Sequence, residues 1–131
     1  MPKEHLNPDK LTKNPAFSQV VVVESSARTV YVAGQNAVDT DGAMVGSTLA
    51  EQTTKALENL IEALTAAGAS LSDIVKWTIL IVEGQSVGDG FAAFQRVWDG
   101  AGEPPAITVA FVSALALPDA LVEIDAVAVV D

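Results

Sequence analysis

Between Ala106 and Val112 the chain reads Ala-Ile-Thr-Val-Ala-Phe-Val. In a strand, Ile107, Val109 and Phe111 share one side, while Ala110 and Val112 share the other with Thr108. Val20 to Val23 is likewise apolar on both sides. Strands that read this way are covered on both faces. The chain carries only two helical stripes, and two helices cover one face of a sheet. The simplest cover for the second face is another copy of the chain. A homo-oligomer built on sheet faces is therefore expected.

The remaining elements follow from local signals. Phe17 to Glu24 reads as a strand, Ser25 to Arg28 as a tight turn, and Thr29 to Ala33 as the hairpin partner. Thr48 and Glu51 form a capping-box pattern. After them Leu49, Thr53, Ala56, Leu57, Leu60, Ile61 and Leu64 recur at helical spacing, until Gly68 stops the helix. Ile74 to Val82 is a strand, and Gly84, Gly88 and Gly90 mark a flexible loop. Phe91, Phe94, Val97, Trp98 and Ala101 form the stripe of a second helix, closed by Gly102 and Pro104-Pro105. Strands at 106–112 and 121–130 complete the order β-β-α-β-α-β-β, an α+β arrangement on one mixed sheet with both helices on one face. Residues 1–14 read as a flexible, polar arm and residues 15–131 as one domain.

Charge and composition exclude several roles. Seventeen acidic residues face seven basic ones, a net charge of -10. The arginines, Arg28 and Arg96, are isolated, so the basic cluster that nucleic acid requires is missing. The absence of cysteine removes disulfides, thiolate nucleophiles and Cys-based metal sites. The only histidine, His5, sits in the arm, which argues against a His-based triad or metal centre. No cofactor, metal or membrane role is expected. A polar start without an apolar segment, together with the missing cysteines, fits a cytoplasmic protein.

One pair of residues has chemical potential. Glu123 and Asp125 point to the same side of the last strand, which they share with Leu121, Val127 and Val129. Carboxylates among apolar neighbours suit general acid or base work. The same pair also suits a wet strip at a subunit rim.

Six segments in this order carry a resemblance. They are Pro15 to Val20, Val30 to Gln35, Gln52 to Leu60, Ala66 to Leu71, Pro104-Pro105-Ala106 and Val122 to Ala128. From Asn14 to Val130 the chain resembles the Rid family, the YjgF-like reactive intermediate (imine/enamine) deaminases. The resemblance implies a chorismate-mutase-like fold of the bacillary type. It also implies a homotrimer whose sheets line a central barrel, with small-molecule clefts between subunits. Deaminating members carry an arginine directly after Pro-Ala, where it holds the carboxylate of a 2-imino acid. A last-strand glutamate there positions the attacking water.

Glu123 matches that glutamate, but the arginine position is Ile107. The cleft tyrosine matches Phe17, the serine before Gly-Gln matches Ala33, the cysteine matches Val109 and the helix asparagine matches Gln95. Each departure removes a donor or a charge, as in an arginine-less branch. The expected cleft is apolar and edged by Glu123 and Asp125. It would bind or hydrolyse an imine or enamine lacking a carboxylate, with Glu123 acting on water and the Gly34 amide polarising the reacting centre. Arg96 is the one candidate to replace the missing arginine. A non-catalytic ligand-binding or regulatory module on the same fold is the alternative. Endoribonuclease activity, sometimes claimed for the family, is disfavoured by the charge and the missing histidine.

Overall fold

The computed structural model describes residues 3–11, 15–25 and 28–131. The elements are β1 (Lys3–Leu6), β2 (Val20–Val23), β3 (Arg28–Gln35), α1 (Leu49–Ala66), β4 (Ile74–Val82), α2 (Val87–Trp98), β5 (Ala106–Val112) and β6 (Val122–Val130). A 3-10 turn, Leu71–Asp73, leads into β4. Four strands form a mixed sheet in the order β3-β6-β4-β5, in which only β4 and β5 run parallel. The mixed α+β architecture is the one expected, with two helices on the sheet.

α1 shows how local chemistry sets an element. The Glu51 amide donates to Thr48 Oγ1 at 3.2 Å, and the Thr48 amide donates back to Glu51 Oε1 at 3.2 Å. The Ser47 amide also donates to Glu51, the largest of the bonds that hold this carboxyl below its ordinary pKa. At the far end Gly68 adopts φ 74°, a left-handed conformation that glycine takes without strain. Its amide donates to Thr65 O and the Ala69 amide to Leu64 O, a Schellman closure. Arg28 Nη1 donates to Ala67 O at 2.7 Å, so this cation caps the negative end of the helix.

The sheet face under the helices forms the core. Trp77, Leu57, Leu60, Leu64, Ile74, Val122 and Ile124 are fully buried. Trp77 meets Phe94 edge-on at 4.7 Å and Trp98 at 5.3 Å. Gln52, which the helical stripe does not reveal, is also buried. Its amide nitrogen donates to Gly46 O and Asp119 O, while its oxygen accepts from the Leu121 amide at 2.8 Å. One side chain thus ties two loops to the helix.

Four details differ from expectation. First, β2 pairs with β1, with Lys3 opposite Val23 and Leu6 opposite Val20, whereas β3 pairs with β6. The arm therefore supplies a strand. Lys3 Nζ fastens it to Ser72 O at 2.7 Å, and His5 Nδ1 lies 3.3 Å from Glu103 Oε2. Met1, Pro2 and residues 12–14 of the arm, and Ser26 and Ala27 of the expected hairpin turn, lie outside the described residues. Second, the sheet is divided, since β1 and β2 form a two-stranded sheet of their own.

Third, α2 begins at Val87, so Gly88 and Gly90 are helical and do not form a loop. Glycine weakens a helix by roughly 1 kcal/mol. Gly90 is explained by close packing: a Cβ there would stand 3.1 Å from Leu49 Cδ2 on α1. Fourth, β5 is an edge strand, and Val109 and Phe111 are about half exposed (49% and 50%). The chain exposes 7145 Å², above the ~6,500 Å² of a compact monomer of this mass. Among the described residues no helix is long and apolar enough to cross a membrane.

Candidate functional site

A cavity of about 430 Å³ opens between α2 and the sheet. Its walls are Phe91 and Phe94 from α2, Ile79 and Ile81 from β4, Ile107 and Val109 from β5, and Val122 and Ile124 from β6. Phe17 closes one side. It is held there by Ser18, whose amide donates to Pro105 O at 3.0 Å and whose Oγ donates to Pro104 O at 2.6 Å. Those bonds fix the Ala16-Phe17 segment beside the start of β5. The proline pair and buried Ser18 thereby act as a local clamp.

Three residues matched to the expected cleft, Phe17, Ile107 and Val109, meet in this cavity. The others do not. Val122 and Ile124 line the cavity, so strand alternation sends Glu123 and Asp125 to the opposite face of the sheet. There Leu80 lies opposite Glu123 and Thr78 opposite Asp125. Asp125 is exposed and Glu123 half-buried. Ala33 and Gly34 occupy an irregular step in the β3–β6 pairing. Gly34 lies directly under Glu123: a Cβ on Gly34 would stand 2.6 Å from Glu123 Oε2. Gln95 is exposed on α2 and takes no part in the cavity wall. The candidate residues thus divide between the two faces of the sheet.

Neither arginine reaches the cavity. Arg28 is engaged at the end of α1. Arg96 borders a separate depression with Lys55, Glu51 and Glu58. Lys76 belongs to the open face, where Nζ donates to Thr108 Oγ1 at 2.6 Å. Among the described residues no cluster of three His, Asp or Glu side chains could hold a metal ion. The polar residue that the sequence reading missed is Thr53. It counted as one more position in the α1 stripe, yet it lines the cavity beside Gly90.

Residues 9–130 match the family described as Endoribonuclease L-PSP. The chain belongs to the Rid family. It is similar to the 2-iminobutanoate/2-iminopropanoate deaminase of Rattus norvegicus, with 36% identity over 115 residues, 87% of this chain and 80% of that protein. Among solved structures it is similar to the Rid-family protein YyfB of Yersinia pestis, of unknown function. The TM-score is 0.87 at 33% identity, covering 99% of this chain and 100% of that one. It is also similar to E. coli TdcF with bound serine, with TM-score 0.73, 27% identity and coverage of 84% and 85%. In this chain of the Rid family the described wall of the cavity is mainly apolar.

Proposed function

We propose that this chain is a Rid-type deaminase for imines or enamines that carry no carboxylate, working as a homotrimer with its clefts between subunits. The carrying observation is the wall of the cavity, which among the described residues holds Ile107 and no charged side chain. A carboxylate buried there would lack a partner, at a cost of several kcal/mol. Assembly supplies what one chain lacks. The open face of one subunit, with Glu123 over Gly34, would stand against the cavity mouth of the next, where Val109 is half exposed. Tyr31, 78% exposed on that open face, supports a covered surface. Glu123 then orients water and the Gly34 amide faces the reacting centre. A chain without cysteine suits a reducing, cytoplasmic setting.

Sedimentation equilibrium at micromolar protein is expected to give three times the chain mass of 13.6 kDa. A monodisperse monomer would leave the two groups of residues apart and end this reading. The catalytic half is tested by Gly34→Ala. The new Cβ pushes the Glu123 carboxylate from its place, and the far end of that side chain can yield. Turnover of a carboxylate-free imine should fall at least ~10-fold, since positioned acid–base groups contribute roughly 10²–10⁴-fold. The melting temperature should move only a few degrees. Unchanged turnover would remove Glu123 from the chemistry.

A non-catalytic ligand-binding module is the second reading. It is favoured by the scarcity of polar groups in the cavity, whose wall among the described residues holds Thr53 as its one polar side chain. Ligand binding without turnover of any imine would select it.

A further inference from the structure

Three threonines lie on α1, and two behave as helix threonines usually do. Thr54 Oγ1 donates to Ala50 O at 3.1 Å, and Thr65 Oγ1 donates to Ile61 O at 2.8 Å, each four residues back. Thr53 Oγ1 has no hydrogen-bond partner, although Thr53 is only 4% exposed. A hydroxyl left dry in an apolar surround is costly, and buried polar atoms are nearly always paired. Its position explains what it could pair with. A Cβ on Gly90 would stand 3.7 Å from Thr53 Oγ1, and both residues line the cavity. The hydroxyl thus lies beside the cavity wall at a point where Gly90 supplies no side chain.

We propose that Thr53 is the polar anchor of the cavity, and that the ligand is an uncharged, ring-bearing molecule with one hydrogen-bonding atom at its buried end. This deepens the reading above, because the cavity is the same, but it does not require turnover. The ring follows from the walls. Phe91 and Phe94 lie nearly parallel, 11° apart with centroids at 6.5 Å, and Phe17 faces the same space. The size follows from the volume. A cavity of ~150 Å³ holds one benzene, so about 430 Å³ takes a substituted ring. Neutrality follows from the lack of any charged side chain among the described residues of the wall. A site with one buried hydroxyl discriminates against analogues that leave it unpaired.

The test is calorimetric titration of the full-length protein with 4-methylphenol, toluene and 4-methylbenzoate. These share a ring and differ only in the polar end. 4-Methylphenol should bind about ten-fold more tightly than toluene, and 4-methylbenzoate at least ten-fold more weakly than 4-methylphenol. Thr53→Val should erase the advantage of 4-methylphenol over toluene, leave toluene binding unchanged and raise the melting temperature of the empty protein. Thr53→Ser should keep the advantage. Equal binding of 4-methylphenol by Thr53→Val and the native chain would overturn the anchor. So would a fall of several degrees in the melting temperature of Thr53→Val, which would give the hydroxyl a role in the fold. Binding of 4-methylbenzoate as tight as 4-methylphenol would overturn the neutrality of the site, and no binding of any probe would overturn the whole inference. A phenol preference without turnover of any imine sinks the deaminase reading and leaves this one standing. Turnover without the preference does the reverse.

Discussion

Replacing Ile107 with arginine is expected to raise kcat/KM on 2-iminobutanoate or 2-iminopropanoate by roughly 10- to 150-fold over the native chain. The native chain itself should accelerate these reactions poorly. A 2-imino acid presents a carboxylate beside the C=N carbon, and a planar guanidinium is the best fixed partner for it. One charge-assisted hydrogen bond contributes about 1.5–3 kcal/mol, which sets the expected range. The site can accept the change. Ile107 is only half-buried and neighbours exposed Val109 on the edge strand, so a long side chain can carry its charge outward from the cavity wall. An amino-acid oxidase or dehydratase generates the imine, and ketoacid release is timed with and without each protein. High native activity, unmoved by Ile107→Arg, would show that position 107 does not face the carboxylate. In that case Lys76→Ala is the informative variant, because Lys76 reaches Thr108 on the open face.

Trp77→Ala should cost about 3–5 kcal/mol of stability, the largest loss expected of any single truncation here. Trp77 is 1% exposed and sits on β4 between β5 and β6. Two edge-to-face ring contacts, at 4.7 Å with Phe94 and 5.3 Å with Trp98, vanish along with it. The indole is large, and neighbours on two paired strands have little room to collapse into its place. Against a typical total of about 5–15 kcal/mol, such a loss threatens folding itself. Urea titration of the native and altered proteins, compared at equal slope, measures it. A loss under ~1 kcal/mol would mean that the aromatic trio is not the centre of the core. Trp98→Ala should cost less, because Trp98 is only half-buried.

Features set by neighbouring residues were legible without coordinates. Thr48 and Glu51 stand three apart, and a capping box needs nothing more distant. Gly68 stops α1 through its own φ of 74°. The alternation along β6 assigns Glu123 and Asp125 to one face because side chains alternate along any strand. The acidic excess, the lack of cysteine and the six family segments are likewise properties of the string of residues.

What depended on residues far apart in the chain was decided only by the fold. The strand after Phe17 found its partner in the arm, and β3 found its partner in β6, about a hundred residues later. Gly88 and Gly90 looked like loop residues by composition, yet the crossing with Leu49 rewards a missing side chain inside a helix. Thr53 looked like one more position in an apolar stripe until the unpaired hydroxyl was seen beside Gly90. Ile107 and Glu123 illustrate the limit most plainly. Alternation tells which residues share a face within one strand, but the relation between faces of different strands depends on pairing. Pairing brings Trp77 opposite Ile107 and Leu80 opposite Glu123, and so puts the two residues on opposite sides of the sheet. Sequence alone determined the family, the chemistry of each side chain and the local caps. Only the tertiary structure decided which of those side chains share a space, because register and packing are settled by contacts between segments that no local pattern encodes.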